Sequence, residues 1–285
     1  MINLVRRNLL IYFRDKSTVF FSMLSVIITF GMYIFFLGDM YARSISTTAD
    51  IRFLMDSWIM AGILGVTSVT TTLGAYGNMI VDEAQLKTKD FYSAPLKRRT
   101  IAGGYILSSF VIGLIMSVLA FVFAEIYIVL GGGELLPLTT VLKLLGLMLI
   151  SVLSSSSFIL LIASMLRTSS SFGVASTIIG TIIGFLCGIY IPIGSLPTEV
   201  QWVIKFFPPA HSVALYRNLM MEVPMQTFFA GVPSNYLDSF KTEMGLHYEI
   251  GAYTTDFAFS ILVLVSSAVL FYSLGILLLS RKKKK

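Results

Sequence analysis

Few side chains in this sequence are suited to bond-making chemistry, and those few are badly placed for it. Cys187 is the one cysteine; it lies inside an apolar run, has no partner for an internal disulfide, and has no surroundings that lower a thiol pKa. His211 and His247 stand 36 residues apart, outside any HExxH or CxxC context, so no metal site is expected without carboxylates borrowed from elsewhere. The chain carries neither a GxSxG elbow nor a GxxxxGK[ST] phosphate loop, which excludes ester hydrolysis and ATP binding by those motifs. Gly131-Gly132-Gly133 reads as a short turn between two apolar runs. Glu125 is the single acid within those runs; five residues from the end of its run, it is either an interfacial residue or the lining of an outward vestibule. An ion-coupled pump would show several such carboxylates, or broken helices.

What must position these residues follows from composition. The 285 residues are 56% hydrophobic and 13% charged, against about a quarter charged in soluble domains. The apolar residues come in unbroken runs at 17–37, 57–79, 101–130, 139–166, 172–191 and 257–279, each long enough to cross a bilayer as helix. Strands of a barrel would alternate instead. The expected fold is an all-α integral membrane protein with six transmembrane helices in one domain, residues 1–285.

Lys and Arg set the orientation. The N-terminus, the stretch 81–100, Arg167 and the tail hold 15 of the 21 basic residues, which makes that side, with both termini, cytoplasmic. The same bias accounts for the +6 net charge and leaves no basic patch interleaved with aromatics for nucleic acid. Location in the cell membrane of a bacterium is expected.

Residues 1–16 read as an interfacial helix, with Ile2, Val5, Leu9, Tyr12 and Phe13 on one face and Asn3, Arg7 and Arg14 roughly opposite. Arg6-Arg7 superficially suggests an export signal, but Arg14-Asp15-Lys16 interrupts the apolar region and no cleavage site follows. The tail RKKKK suits anchoring to an anionic leaflet, unless the source is eukaryotic, where it would also match a retrieval signal.

In the fifth run Ser176, Gly180, Gly184 and Gly188 recur every fourth residue, a small-residue stripe for close helix packing within one subunit or between two. Serines 154 to 157 are harder to interpret, because Ser also bonds its own helix carbonyls. Beyond that run, 191–220 mixes prolines with a helical apolar pattern (Leu196, Val200, Val203, Ile204, Phe207). Pro197 fits a first turn and Pro208-Pro209 an end. The segment is too short to cross, so a re-entrant or interfacial helical hairpin on the outside is expected, within an external region 192–253.

The stretch VDEAQLKTKDFYSAPLKRRT, residues 81–100, holds eight of the 36 charged residues between two long apolar runs. Its end, SAPLKRRTIAGG with Glu83 upstream, resembles the element before the third span of type-2 ATP-binding-cassette exporter permeases, with Pro95, Arg98 and Gly104 at the matching places. SLP...W...FFPPAHSVALYRNL resembles that family's closing signature, at Pro197, Trp202, Pro208 and Arg217. Leu86-Lys87-Thr88 and Pro208 depart from the family's usual Gly-Thr and Asn.

The resemblance implies a permease that holds no ATPase and binds no cofactor, ATP and Mg residing on a separate cytosolic ATPase subunit. It implies a second permease copy or paralogue and export by alternating access. Residues 81–100 become a coupling loop. Asp82, Glu83, Lys87, Lys89 and Asp90, with Arg98, offer charge to the ATPase, and Leu86, Phe91 and Tyr92 offer apolar anchors; a solvated loop without a partner is the plainer reading. Residues 191–220, with Pro197, Trp202, Pro208, Pro209 and Arg217, become an outer gate. A drug, antibiotic, peptide or lipid-like cargo is expected. Polysaccharide or lipid-linked glycan export, ion-coupled transport and a membrane-embedded enzyme are the alternatives.

Overall fold

The computed structural model describes residues 1–33, 35, 49–87, 98–166, 168–251 and 253–281. In chain order the helices are α1 (Ile2–Arg14), α2 (Lys16–Met32), α3 (Ala49–Ala84), α4 (Arg98–Leu130), α5 (Leu138–Met165), α6 (Ser169–Leu186), α7 (Thr198–Lys205), α8 (Pro208–Met220), α9 (Glu222–Phe228), α10 (Ser234–Glu243) and α11 (Phe257–Arg281). Five of them, α3, α4, α5, α6 and α11, are long and apolar enough to cross a membrane; α2 is described over 17 residues, about 26 Å of helix. The chain is an all-α membrane protein whose only sheet, among the described residues, is the antiparallel pair β1 (Glu249–Ile250) and β2 (Tyr253–Thr254), a feature that the polar composition of this segment does not announce.

Helix α3 is the central strut. Its apolar stretch is almost wholly buried by protein, with α2, α4, α5, α6 and α8 packed around it, which is why it tolerates Thr67, Ser68, Thr70, Thr71 and Thr72, all buried. Their hydroxyls are bonded within the protein: Thr67 and Thr71 each donate to the carbonyl one turn back in the same helix at 2.7 Å, and Ser68 shares a bond of 2.8 Å with Ser155 of α5. At 36 and 33 residues, α3 and α4 run about 54 and 50 Å, well beyond the roughly 30 Å hydrocarbon core. Both therefore extend past the hydrocarbon core.

Helix α1 packs on those projections rather than resting on lipid alone. Met1 lies against Gly103, Leu4 against Gly104, Asn8 against Ser108, and Tyr12 in a cluster with Ile112 and Met116, so α1 follows the first turns of α4. A Cβ at Gly104 would collide with Leu4, so the glycine is what admits the helix. The buried face is Val5, Asn8 and Tyr12, while Ile2 and Phe13 of the expected apolar face are exposed. The reason is polar: Asn8 and Arg7 find partners on α3 and α4, and that rotates the helix.

Helix α6 is shorter than the apolar run in which it lies. After Cys187, Gly188 takes φ +60°, its N–H donates to the Phe185 carbonyl and that of Ile189 to Gly184, both at 3.0 Å. This left-handed closure ends α6. Gly188 is thus a helix stop and not the last member of a packing stripe. Gly184 lies under the Tyr190 ring, where a side chain would clash, and Ser176 and Gly180 border an open cleft of about 330 Å³ shared with α2 and α3.

Candidate functional site

The middle of α1 and the loop-side parts of α3 and α4 converge on one carboxylate. Asp82, two residues from the end of α3, is 4% exposed. Arg7 Nη1 donates to its Oδ2 at 2.7 Å and Nη2 to its Oδ1 at 2.9 Å, a forked pair that fixes orientation as well as charge. Tyr105 of α4 donates its hydroxyl to Oδ2 at 2.7 Å. One turn on, Asn8 Nδ2 donates to Ser108 Oγ at 3.1 Å, and Asn8 Oδ1 accepts from Arg7 at 2.9 Å. The bond to Asp82 raises the Arg7 pKa above its ordinary value, outweighing the burial that lowers it. Arg7 and Asn8 on α1 meet Tyr105 and Ser108 on α4 because residues three apart share a helix face.

This geometry gives Asp82 a different place from the one expected of it. Within the chain its charge is met by Arg7 of α1 and the Tyr105 hydroxyl of α4. Glu83 is half-buried, while Leu86 and Lys87 are exposed where α3 gives way to the loop. Leu86 has φ +59°, a left-handed conformation costing a bulky residue about 1–2 kcal/mol, and with Val81 it puts exposed apolar surface at the loop mouth. Lys89, Asp90, Phe91, Tyr92 and Pro95 lie outside the described residues, as does the side chain of Arg98, which opens α4.

At the far end, 191–220 divides into two helices of different character. Pro197 precedes α7, whose Trp202 is exposed and stacks on Phe206 under Lys205. Of the apolar pattern expected there, Ile204 is buried and Val200 and Val203 are exposed. Pro208 and Pro209 begin α8 and do not end α7, since their missing N–H groups are harmless in a first turn. Helix α8 is buried among α3, α5 and α11; Val213 sits where Gly65 of α3 has no side chain. The expected gate residues are therefore split, Trp202 at the surface and Pro208, Pro209 and Arg217 inside.

Arg217 is fully buried. Its guanidinium donates to the carbonyls of Met244 at 3.0 Å, Gly188 at 2.7 Å and Cys187 at 3.4 Å, and lies 4.4 Å from the Trp58 ring centre. Burial lowers its pKa to about 10, so it remains charged at neutral pH. Trp58 Nε1 donates to the same Met244 carbonyl at 2.8 Å. One cation thus joins α3, the end of α6, α8 and the end of α10. Sequence reasoning placed Arg217 here by resemblance but missed Trp58, which an apolar run conceals.

It also missed Asp56, buried on α3, which accepts from the Tyr33 hydroxyl at 2.6 Å with Arg52 at 3.8 Å. Glu125 is buried and accepts from the Leu136 N–H at 3.3 Å, across the Gly131–Gly133 turn. His211 bonds Ser260 and the Lys205 carbonyl, and His247 bonds Thr242. Serines 154 and 155 reach across helices, to Ser267 at 3.1 Å and Ser68 at 2.8 Å, and Ser156 to Tyr76 at 3.1 Å.

The sequence profile of the ABC-2 family transporter proteins matches residues 53–277. The chain belongs to that family. The matched region of this ABC-2 chain runs from the far-side turns of α3, through the loop and the buried α8, into α11, and so takes in Asp82, Tyr105 and Arg217. An ABC-2 permease domain is the transmembrane component and not the ATPase, and such permeases generally work with an ABC ATPase. This is a multi-pass membrane protein of that kind. No curated protein matches the chain.

Proposed function

We propose that this ABC-2 chain is the permease subunit of an ATP-driven exporter, with six spans and both termini cytoplasmic, working beside a second permease copy or paralogue and two ATPase subunits. The observation that carries the reading is the three-way junction of Arg7, Asp82 and Tyr105. It ties α1 to the helix entering the charged loop and the helix leaving it. A force applied to the loop by closing ATPase subunits would reach α1, α3 and α4 together, biasing the spans between two arrangements. Exposed Val81, Leu86 and Lys87, with Phe91 and Tyr92, would form the docking surface, apolar anchors beside charge. Asp82 acts inward, as the clamp behind that surface.

Cargo would be hydrophobic or amphiphilic, meeting aromatic and Met-rich span faces and leaving past the hairpin of α7 and α8. The external region 192–253 favours a drug or antibiotic over a polysaccharide. Glu125 bonds a turn and reads best as an interfacial residue; export unaffected by Glu125→Gln is the expected result. The docking test is the double variant Phe91→Asp, Tyr92→Asp: loss of the ATPase subunit from the purified complex supports the reading, and a complex with its ATPase activity intact overturns it.

A further inference from the structure

A groove of about 750 Å³ runs along the outside of the bundle between α2 and α4. Its floor is Met60 and Ile63 of α3, both buried, and its rims are the exposed Phe20, Leu119 and Phe123. Near one end the rings of Phe30 and Tyr127 meet across it, centres 5.0 Å apart. At the other end stands Lys16, the one charged residue among the described residues that line it.

That asymmetry identifies an occupant. The lining from Lys16 to Phe30 covers about 21 Å of helix, more than the roughly 15 Å that one leaflet contributes to the hydrocarbon core, so an extended acyl chain fits lengthwise. Lys16 is exposed at the groove's end, and a lysine stem can follow apolar surface while its ammonium reaches headgroup depth. The nearby acid, Asp15, is committed to capping α2, accepting from the Ser17 and Thr18 N–H groups at 3.0 and 3.2 Å and from the Thr18 hydroxyl at 2.7 Å.

We infer that, in the orientation proposed above, this groove holds one anionic phospholipid of the inner leaflet as a resident ligand, an acyl chain between α2 and α4 and the phosphate on Lys16. The site needs no ATPase and no cargo, so its failure would leave the export reading untouched.

Native mass spectrometry of the full chain, titrated with phosphatidylglycerol or phosphatidylcholine of identical acyl chains, tests it. The wild type is expected to retain phosphatidylglycerol about fivefold better, the equivalent of about 1 kcal/mol for a cation near a headgroup. Lys16→Gln should bring the ratio close to one, and Ala120→Phe, which narrows the groove, should lower retention of both lipids. Leu119→Trp on the exposed rim serves the same purpose should the Ala120 variant misfold. Equal retention of the two lipids by the wild type, a preference that survives Lys16→Gln, or retention unchanged by a narrowed groove would each overturn the assignment.

Discussion

Arg7 and Asp82, 75 residues apart in sequence, meet through two hydrogen bonds of 2.7 and 2.9 Å, and the same carboxylate receives the hydroxyl of Tyr105. Asp82→Ala leaves both donors facing a void. A loss of about 2 kcal/mol is expected, below the usual cost of breaking a buried pair because Arg7 still reaches water. Thermal unfolding in detergent reads it, and the exchange Arg7→Asp with Asp82→Arg should restore part.

Arg217 predicts a larger loss at the opposite end. Arg217→Leu strands the Gly188 and Cys187 carbonyls and removes the cation over Trp58, for about 3 kcal/mol. Arg217→Lys keeps the charge but not the fork, and should recover only a part. Equal melting temperatures for wild type and Arg217→Leu would show that the pin bears no load.

How much of this was legible beforehand depends on what each residue touches. Long apolar runs are set by the solvent, so the helices at 101–130, 139–166 and 257–279 appear nearly as expected, and the loop at 81–100 stood out by contrast. Partners are not set that way. Asp82 sits in a run of charges and reads as exposed, yet a tyrosine 23 residues later and an arginine near residue 1 bury it. The expected polar face of α1 included Arg7 for the same reason. Gly188 fits a packing period as well as a helix stop, and only its φ separates the two. Trp58 lies at the edge of an apolar run, where sequence gives no hint of the cation beside it, and Asp56 has Arg52 at i,i+4 spacing but nothing in sequence that announces its burial or its bond to Tyr33.

His211 carries a pH dependence. It is buried against Tyr248 and Phe259, and burial lowers its pKa below the ordinary 6.5. The unfolded chain therefore takes up a proton first as pH falls, so the contribution is complete above about 6.5 and is lost below it. Melting temperature should drop between pH 7.5 and 5.5, and His211→Gln should flatten that part of the profile.

The serine seam makes a smaller prediction. Ser68 and Ser155 share a bond of 2.8 Å within the bundle, and hydroxyl pairs between membrane helices couple by about 0.6 kcal/mol. A double-mutant cycle to alanine measures it; a coupling near zero would mean that each hydroxyl is satisfied by its own helix.

The most direct measurement is cargo moved per ATP hydrolysed, in inverted vesicles holding the permease with its ATPase subunit, for wild type and Asp82→Asn. A clamp that carries force predicts an assembled complex that still hydrolyses ATP while moving at least about tenfold less cargo per nucleotide, equivalent to about 1.4 kcal/mol of lost coupling. An unchanged ratio, or transport by the permease with no ATPase subunit present, would contradict it.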